Sequence, residues 1–443
     1  MQLCDWDDFY KNINQYENGI AEFKKITEPF VALSLIDRPE LHKTASEVYI
    51  QAKYPKMQEL GPIPLRSLDG KIRIAYYSTD FKEHPVAYLM AELFELHDKN
   101  KFEVIAFSLS STGESEIKTR LIKSFNQFIE VHDKSDSKIA EISRNLGIDI
   151  AIDLNGYTEK NHVGAFLYRL APIQVGYIGY VGTMGSNFYD YIIADKILIR
   201  TDDETHYSEK IAYLPSYQAN DSKRNISGKD LSRKKLSLPE KGFVFCCFNN
   251  SYKILPSTFD GWIRILKSVE GSVLFLLAEN DRVMTNLRRE AEARGVSSKR
   301  LVFGNRLPRD VYLARYRRCD LFLDTLPYNA GTTASDALWA GLPVLTCTGK
   351  SFASRMAASL LTAIEMPELI THTQEDYEAR AIELATHPAM LQELKAKLAR
   401  NRLTTPLFDG QLLAKHIEAA YEAMYARSQA GLPPEHIEIL ANT

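Results

Sequence analysis

Residues 321–346 have the sequence LFLDTLPYNAGTTASDALWAGLPVLT, which contains the repeating unit of the predicted fold. A short apolar run is followed by a loop of small and polar residues, a helical stretch that starts at Thr332, and a second apolar run at 344–346. Apolar runs this short have the length of buried strands. A strand, a helix and a strand in this order predict two parallel strands with a covering helix.

The same alternation of strands and helices extends over most of the chain. A polar stretch at 217–241 is a predicted connector between two halves of similar size. We therefore expect the α/β class, with two Rossmann-like sheets that face a cleft and bind ligands beyond the carboxyl ends of their strands. The predicted strands are 72–77, 102–109, 128–131, 148–154 and 173–180 in the first half, and 243–248, 273–277, 301–303, 321–323 and 344–346 in the second.

The two ends of the chain differ from these halves because they are predicted to be helical. The breaker cluster Gly61-Pro62-Ile63-Pro64 marks a boundary after the first helical part. The predicted division is a helical cap (1–62), an N-terminal Rossmann-like lobe (63–225), a C-terminal Rossmann-like lobe (226–405), and a C-terminal helix and tail (406–443).

Composition and charge exclude several classes of protein. Of 443 residues, 45% are hydrophobic and 25% are charged, as in soluble globular proteins. The formal net charge of -3 gives no strong field that would recruit nucleic acid or an anionic membrane. The five cysteines are too few for a disulfide scaffold, and Asp5, Asp7 and Asp8 lie where an export signal would need its apolar core. We therefore expect a cytoplasmic protein with no nucleic-acid or membrane partner.

The strongest candidate site is the segment NAGTTASD (329–336), between a strand end and a helix. Its small residues let a ligand approach backbone N–H groups, and the start of a helix favours an anion. The hydroxyls of Thr332 and Thr333 add two donors, so the segment suits a diphosphate. The alternative is an ordinary helix start in which Thr333 only caps the helix.

The segment FNNSYK (248–253) follows the first predicted strand of the second half, so it lies at the same sheet edge. Lys253 can neutralise a leaving diphosphate as a point charge, and Asn250 can bind a polar edge of a ligand. The alternative for Lys253 is a solvated lysine in a turn.

Three further strand ends carry candidate residues in the first half. In DFKEHP (80–85), Asp80 and His84 are placed so that they can share a proton or a sugar hydroxyl. The alternative is that Asp80 caps the turn and His84 packs. The segments DLNGYT (153–158) and GYVGTMG (179–185) contain glycines that permit close backbone approach, and ordinary turn chemistry explains them almost as well.

No cluster of carboxylates accompanies the predicted diphosphate site in the sequence. The one Asp-x-Asp motif, Asp5-Trp6-Asp7, falls in the predicted helical cap. Neither a Walker A motif nor a GxGxxG motif is present, which disfavours hydrolysis of nucleoside triphosphates and binding of dinucleotides. We expect no metal and no cofactor, with charge neutralised by Lys253 and helix N–H groups.

In their order and spacing, these motifs resemble the catalytic region of the protein O-linked N-acetylglucosamine transferase family, also called SPINDLY-like. The resemblance covers nearly the whole chain, without the tetratricopeptide array that usually precedes this region. It is carried by Asp80-Phe81-x-x-His84-Pro85, Leu154-Asn155-Gly156-Tyr157-Thr158, Ala171-Pro172-Ile173-Gln174, Tyr207-Ser208-Glu209-Lys210, Phe248-Asn249-Asn250-x-Tyr252-Lys253-Ile254, Thr332-Thr333-x-x-Asp336-x-Leu338-Trp339-x-Gly341 and Ala353-Ser354-Arg355.

The resemblance implies a GT-B fold, with the acceptor on the N-terminal lobe and the nucleotide sugar bound by the C-terminal lobe. It implies inverting transfer, without a metal, to serine or threonine hydroxyls or, in one branch, to asparagine. The catalytic residues that it implies are Lys253 on the diphosphate, His84 beside the sugar and Asp80 in proton transfer. It also implies nucleotide-sugar contacts for Asn250, Gly179, Thr332, Thr333 and the ribose-binding Asp336.

The sequence departs from the family pattern at several positions near the sugar and the base. Arg309 and Tyr312 replace a lysine and a histidine that hold the uracil in animal members. Gly331 replaces a histidine beside the sugar, and Tyr328 lies where a smaller residue borders the N-acetyl group. The identity of the donor sugar is therefore less firmly implied than the class of reaction.

The sequence thus predicts a glycosyltransferase that moves N-acetylglucosamine from UDP-N-acetylglucosamine, as co-substrate, to serine or threonine of acceptor proteins. Two alternatives within the class are N-glucosyl transfer from UDP-glucose and O-fucosyl transfer from GDP-fucose. Two alternatives outside it are a UDP-sugar epimerase and a non-catalytic scaffold that keeps the GT-B fold. Nothing in the sequence indicates the oligomeric state.

Overall fold

The computed structural model describes residues 3–55, 60–63, 66, 70–111, 113–229, 231–278 and 280–442. Pro64 of the predicted breaker cluster lies outside these residues. The described helices are α1 (Phe9–Ala21), α2 (Pro29–Leu35), α3 (Pro39–Lys53), α4 (Pro85–Leu96), α5 (Glu116–Ser124), α6 (Asp136–Asn145), α7 (Val163–Leu167), α8 (Pro256–Ser268), α9 (Asp281–Ala293), α10 (Arg309–Tyr316), α11 (Thr332–Trp339), α12 (Met356–Ala363), α13 (Gln374–Thr386), α14 (Pro388–Thr404) and α15 (Gly410–Gln429).

The described strands are short and mostly buried, as parallel strands covered on both faces usually are. They are β1 (Ile72–Ser78), β2 (Phe102–Ser108), β3 (Gln127–Glu130), β4 (Ile150–Asp153), β5 (Ile173–Gly176), β6 (Tyr191–Ala194), β7 (Lys210–Tyr213), β8 (Val244–Cys247), β9 (Val273–Leu277), β10 (Leu301–Gly304), β11 (Leu321–Leu323), β12 (Val344–Cys347), β13 (Ile370–Thr371) and β14 (Ile437–Glu438).

The chain divides into two compact units, each built around one sheet. The N-lobe contains Tyr16–Ser222 and the chain from Phe408 onward, whereas the C-lobe contains Lys223–Leu407 and the chain up to Gln15. The predicted cap is helical in α1, α2 and α3, and its residues are shared between the two units. None of the helices within the described residues combines the length and the hydrophobicity needed to cross a bilayer.

The N-lobe sheet has the strand order β14-β7-β6-β5-β4-β1-β2-β3. Its neighbouring strands are parallel to one another, and β1 lies between β2 and β4, with Ile74 opposite Ile150. The strand order therefore reverses at β1. The carboxyl ends of β1 and β4 form the switch point, which is where open α/β sheets bind ligands.

The C-lobe sheet repeats this arrangement with the order β10-β9-β8-β11-β12-β13, again with parallel pairs. Its switch point lies between β8 and β11. Both sheets contain the strand order of the Rossmann fold. The predicted α/β class with two Rossmann-like parallel sheets is therefore confirmed.

The structure adds strands that the sequence did not reveal, and it buries part of the predicted connector. β6 and β7 lie between the last strand predicted for the first half and the connector, in a stretch where no strand was predicted. In the connector, Asn220 and Asp221 are buried, although polar connectors are usually exposed. Burial is tolerated at Asp221 because its carboxylate accepts from Arg120 Nη1 at 2.5 Å.

A buried polar cluster attaches α15 to the N-lobe. His97 Nε2 lies 2.8 Å from the hydroxyl of Tyr76, and His97 Nδ1 lies 2.9 Å from Glu418 Oε1. The same Glu418 oxygen accepts from the Asp98 N–H at 2.8 Å. The hydroxyls of Tyr76 and Tyr421 are 3.1 Å apart, so α15 contributes both Glu418 and Tyr421 to the cluster.

Replacing Glu418 with alanine should therefore lower the free energy of unfolding of the N-lobe by about 1–3 kcal/mol, because buried donors would lose their acceptor. A matched control is Glu422→Ala on the same helix, which removes an exposed ion pair with Lys101. The control should cost less than about 1 kcal/mol. Urea unfolding of both variants tests this, and equal losses would contradict a special role for the buried cluster.

Candidate active site

The carboxyl ends of β8 and β11 are adjacent at the switch point of the C-lobe sheet. Asn249 and Asn250 follow β8 and lead into a 3-10 turn over Ser251–Lys253. Asp324 follows β11 directly. The residues predicted to bind a diphosphate therefore share one edge of the sheet with a carboxylate that was not predicted.

Asp324 is a buried carboxylate, 3% exposed, whose oxygens are surrounded by donors. Its Oδ1 accepts hydrogen bonds from the N–H groups of Thr325 and Ala330, both at 2.8 Å. Its Oδ2 accepts one from the Thr346 hydroxyl at 2.7 Å. Burial raises the pKa of Asp324 to about 6, and the donors limit this rise because they favour the charged form.

Lys253 is packed against the loop that leads into α11. Its Nζ donates to Asn329 O at 3.0 Å and lies 3.8 Å from the centre of the Tyr328 ring. Burial lowers the pKa of Lys253 to about 8, against the attraction of the Asp324 charge. Lys253 is half-buried, and its ammonium contacts a carbonyl and a ring of this loop in addition to its own turn. The ammonium form still predominates at pH 7.

The start of α11 is tied to the end of β8. Gly331 is the N-cap, so no side chain caps the helix. The Thr333 hydroxyl donates to Asn249 Oδ1, and Asn249 Nδ2 donates to the Thr325 hydroxyl at 2.8 Å. The alternative in which Thr333 only caps its own helix is therefore wrong. The first N–H groups of α11 have no partner within the helix, as at any helix start.

Asp336 on α11 is 1% exposed and is neutralised by two arginines. Arg309 forms a bidentate pair with it at 2.6 and 2.5 Å, and Arg224 adds a bond at 2.8 Å. A carboxylate offers about four acceptor positions, so these bonds leave about one for a ligand hydroxyl. Arg309, which the family pattern places at the uracil, is directed to Asp336 in this structure.

Arg315 on α10 is a buried cation, 1% exposed, that was not among the predicted site residues. Its guanidinium lies 4.2 Å from the centre of the Phe248 ring and 5.2 Å from that of Tyr312. Nη1 donates to Asn305 O at 2.9 Å, whereas Nε and Nη2 have no hydrogen-bond partner among the described residues. Unused donors on a buried cation suit a ligand that carries oxygen acceptors.

Tyr312 and Asn250, both predicted ligand contacts, differ in their surroundings. The Tyr312 hydroxyl lies 2.5 Å from that of Tyr316, which donates to Thr333 O at 3.2 Å. This chain of bonds joins α10 to the start of α11. Asn250 is exposed, and its carbonyl accepts from the Lys253 N–H at 3.0 Å.

In the N-lobe, Asn155 joins the ends of β1 and β4. Asn155 is 1% exposed, and its Oδ1 accepts from the Thr79 N–H at 2.8 Å. Its Nδ2 donates to Asp80 Oδ2 at 2.9 Å. The LNGYT motif therefore fixes the position of the Asp80 carboxylate at the switch point of this sheet.

His84 is the N-cap of α4. Its Nδ1 accepts from the Val86 N–H at 3.3 Å and lies 3.6 Å from Asp80 Oδ2. Burial lowers the pKa of His84, and the Asp80 charge opposes this shift. A neutral His84 that accepts at Nδ1 carries its proton on Nε2. His84 can therefore cap its helix and still donate from Nε2 to a ligand oxygen.

Gly179 is required by backbone packing. A Cβ at this position would lie 1.9 Å from Leu154 O. The Gly179 N–H donates to Tyr177 O at 2.8 Å. The close backbone approach that the sequence predicts at Gly179 is therefore a contact with the backbone of Leu154 and Asn155.

The predicted site residues form one group in each lobe. The N-lobe group is Asp80, His84 and Gly179, and the C-lobe group is Asn250, Lys253, Arg309, Tyr312, Tyr328, Gly331, Thr332, Thr333 and Asp336.

No cluster of three or more His, Cys, Asp or Glu side chains within the described ranges is arranged to hold a metal ion.

Comparison with known proteins shows the family of the chain. The model of glycosyl transferase family 41 matches residues 53–227 and 219–417. The chain belongs to this family. The family resemblance predicted from the motifs is thereby confirmed, and the predicted class of enzyme, a glycosyltransferase, agrees with the description of this family.

Individual family members give the extent of the similarity. The probable UDP-N-acetylglucosamine–peptide N-acetylglucosaminyltransferase SEC of Arabidopsis thaliana is 32% identical over 99% of this chain and 47% of its own length. The probable enzyme SPINDLY of Hordeum vulgare, which carries the same activity in its name, is 29% identical over 84% of this chain and 40% of its own length. The chain thus spans about half or less of the length of these relatives.

A solved family structure has the same fold. An O-GlcNAc transferase mutant of Thermobaculum terrenum has a TM-score of 0.81 and 28% identity, and the match covers 91% of this chain and 79% of that one. The predicted GT-B fold is therefore confirmed.

Replacing Gly179 with alanine should destabilise the N-lobe by more than about 2 kcal/mol, because the added methyl group overlaps Leu154 O and the backbone must move. The matched control is Gly176→Ala in β5, where an added Cβ meets nothing within 4 Å. Chemical denaturation should show little change for the control. A Gly179→Ala protein as stable as the control would contradict the packing argument.

Proposed function

We propose that this chain is the catalytic region of a protein glycosyltransferase that moves N-acetylglucosamine from UDP-N-acetylglucosamine to serine or threonine hydroxyls. In this proposal the transfer inverts the anomeric carbon and needs no metal. The names of the relatives support the donor and a peptide acceptor. The observation that carries the proposal is the Lys253 ammonium bound to the loop that enters α11, at the switch point of the C-lobe sheet.

Lys253 is proposed to stabilise the leaving diphosphate. Transfer breaks the bond between the anomeric carbon and a β-phosphate oxygen, so negative charge grows on the diphosphate in the transition state. An ammonium has three N–H donors, and that of Lys253 uses one of them on Asn329 O. A cation fixed at this oxygen binds the transition state more strongly than the ground state, and the N–H groups of Thr332 and Thr333 add to it.

The nucleoside is proposed to bind between α10 and the start of α11. The Nε and Nη2 donors of Arg315, which have no partner within the described part of the chain, suit a carbonyl oxygen of uracil. Tyr312 lies beside this guanidinium and supplies an aromatic surface. Asp336, held by Arg309 and Arg224, keeps an acceptor position for a ribose hydroxyl.

Asp80 and His84 are proposed to act on the sugar and the acceptor. His84 carries its proton on Nε2 when neutral, so it can donate to a sugar hydroxyl but cannot accept a proton at that atom. Asp80, fixed by Asn155, is the better candidate to receive the proton of the acceptor hydroxyl.

Intact-mass measurement of a candidate acceptor protein tests the proposal. The chain is incubated in excess EDTA with UDP-N-acetylglucosamine, UDP-glucose or GDP-fucose in parallel reactions, and each reaction is repeated without acceptor. We expect one N-acetylhexosamine mass added from the first donor. Modification only from another donor would reassign the sugar, and UDP-sugar isomerisation without acceptor would indicate an epimerase. Activity that appears only when a divalent metal is restored would contradict metal independence.

Lys253→Ala should lower the rate of transfer by about 10²–10³-fold while leaving the protein folded, because one fixed charge on the leaving group is lost. Calorimetry should show a smaller loss in UDP affinity, since the charge acts mainly in the transition state. Lys253→Arg should recover little of the rate, because a planar guanidinium does not fit the place of a compact ammonium.

The matched control is Lys267→Ala, which removes an exposed lysine of α8 in the same lobe. Transfer by this variant should equal that of the wild type. Rates within about threefold of wild type for both Lys253 variants would assign the leaving-group role to other residues.

A further inference from the structure

Asp324 and Lys253 bind the two ends of one peptide group. The N–H of the Asn329–Ala330 peptide donates to Asp324 Oδ1 at 2.8 Å. The C=O of the same peptide accepts from Lys253 Nζ at 3.0 Å. In a trans peptide these two groups point in opposite directions. The carboxylate and the ammonium therefore polarise the peptide in the same sense, and each strengthens the bond made by the other.

The Asp324 carboxylate also reaches the start of α11. Asn249 Nδ2 lies 3.3 Å from Asp324 Oδ1, and Asn249 Oδ1 accepts from the Thr333 hydroxyl. The buried side chain of Asn249 thus connects Asp324, before the loop that holds Lys253, with the start of α11, which is proposed to bind phosphate.

Among the described residues, the other titratable groups near this pair are phenols and thiols. After burial and Asp324, Cys247 is the next influence on the pKa of Lys253. Burial raises the pKa of the Cys247 thiol itself, so the thiol is neutral near pH 7. Burial also raises the pKa of Tyr252, and the pKa of Tyr377, which donates to Asp324 O at 3.0 Å, lies well above its usual value. Tyr328 offers the face of its ring to the ammonium. Within the part of the chain that the structure describes, Asp324 is therefore the negative charge that acts on Lys253 near neutral pH.

We propose that Asp324 is a positioning residue that holds the Lys253 ammonium in place through the Asn329–Ala330 peptide. The effect of Asp324 on catalysis rests on the proposed function, whereas its effect on the protonation of the Lys253 amine does not. Asp324→Asn keeps the shape of the side chain and removes its charge. Because a negative charge favours the ammonium, its removal should lower the pKa of Lys253 below about 8.

The direct test is the rate at which acetic anhydride acylates Lys253 as a function of pH, followed by peptide mass spectrometry. In Asp324→Asn the midpoint of this profile should fall by about one unit, so that the neutral fraction of the amine and the rate of acylation at pH 7 rise about fivefold. Thr346→Val removes one donor that stabilises the Asp324 charge, and it should shift the midpoint in the same direction by less. This milder variant carries the test if Asp324→Asn does not fold.

Tyr377→Phe is the matched control, because it removes a hydrogen bond to the backbone oxygen of Asp324 without changing the carboxylate. Its acylation midpoint should equal that of the wild type. Midpoints unchanged in both Asp324→Asn and Thr346→Val would overturn the proposal and leave Asp324 with a purely structural role in the loop.

The pH profile of kcat gives the catalytic readout. In Asp324→Asn, kcat should fall most at alkaline pH, where the neutral amine predominates, with a smaller change in KM for the UDP-sugar. Asp324 itself becomes protonated below about pH 6 in the wild type, so the two enzymes should converge there. An equal loss of kcat at every pH would overturn the proposal. A wild type inactive with all three donors would overturn the proposed function instead, and the acylation profiles would still decide the role of Asp324.

Discussion

The candidate site of the C-lobe depends on one constraint, the burial of the Asp324 carboxylate at the end of β11. A buried carboxylate is tolerated only where donors replace the water that it loses. The loop after β11 supplies them by curling back, so that the N–H groups of Thr325 and Ala330 both meet one oxygen. This curvature fixes the Asn329–Ala330 peptide, and the peptide in turn fixes Lys253. The position of the Lys253 ammonium therefore follows from the hydrogen bonds that the buried Asp324 carboxylate requires.

The N-lobe uses a related device at the equivalent place in its strand order. Asp153 ends β4, the neighbour of the central β1, and its Oδ1 accepts from the Asn155 N–H at 2.8 Å. Asn155 then binds Thr79 and Asp80 beyond β1. In the C-lobe the asparagine comes from the other strand, since Asn249 follows β8 and binds Asp324 and Thr325. In both sheets, an aspartate and an asparagine thus form hydrogen bonds that connect the two strand ends at the switch point. At this edge a parallel sheet otherwise leaves backbone groups unpaired.

The sequence predicted the parts of the structure that depend on local pattern. The apolar runs predicted most of the strands of two Rossmann-like parallel sheets, and their ends located Lys253, Thr333 and Asp80, whereas the strand order came from the structure. What the sequence could not predict depends on contacts distant in the chain. The Thr333 hydroxyl was open to a capping or a ligand role until the structure showed its bond to Asn249, 84 residues away. Arg315 resembles an ordinary polar residue of a helix, and only the structure shows that it is buried against Phe248 and that its Nε and Nη2 have no partner among the described residues.

A peptide group separates Asp324 from Lys253, so the carboxylate favours the charged form of the lysine without binding its ammonium directly. A buried ammonium without a counter-ion would lose its proton, as the lowered pKa of Lys253 already indicates. A carboxylate in direct contact would prevent this, but it would also occupy the donors and cancel the field that a diphosphate needs. Through the Asn329–Ala330 peptide, the carboxylate favours the charged amine, while the ammonium donates one hydrogen bond to the described residues, at Asn329 O. The Tyr328 ring adds attraction on one side without accepting a proton. The arrangement therefore keeps a lysine charged and leaves its remaining donors for an anion.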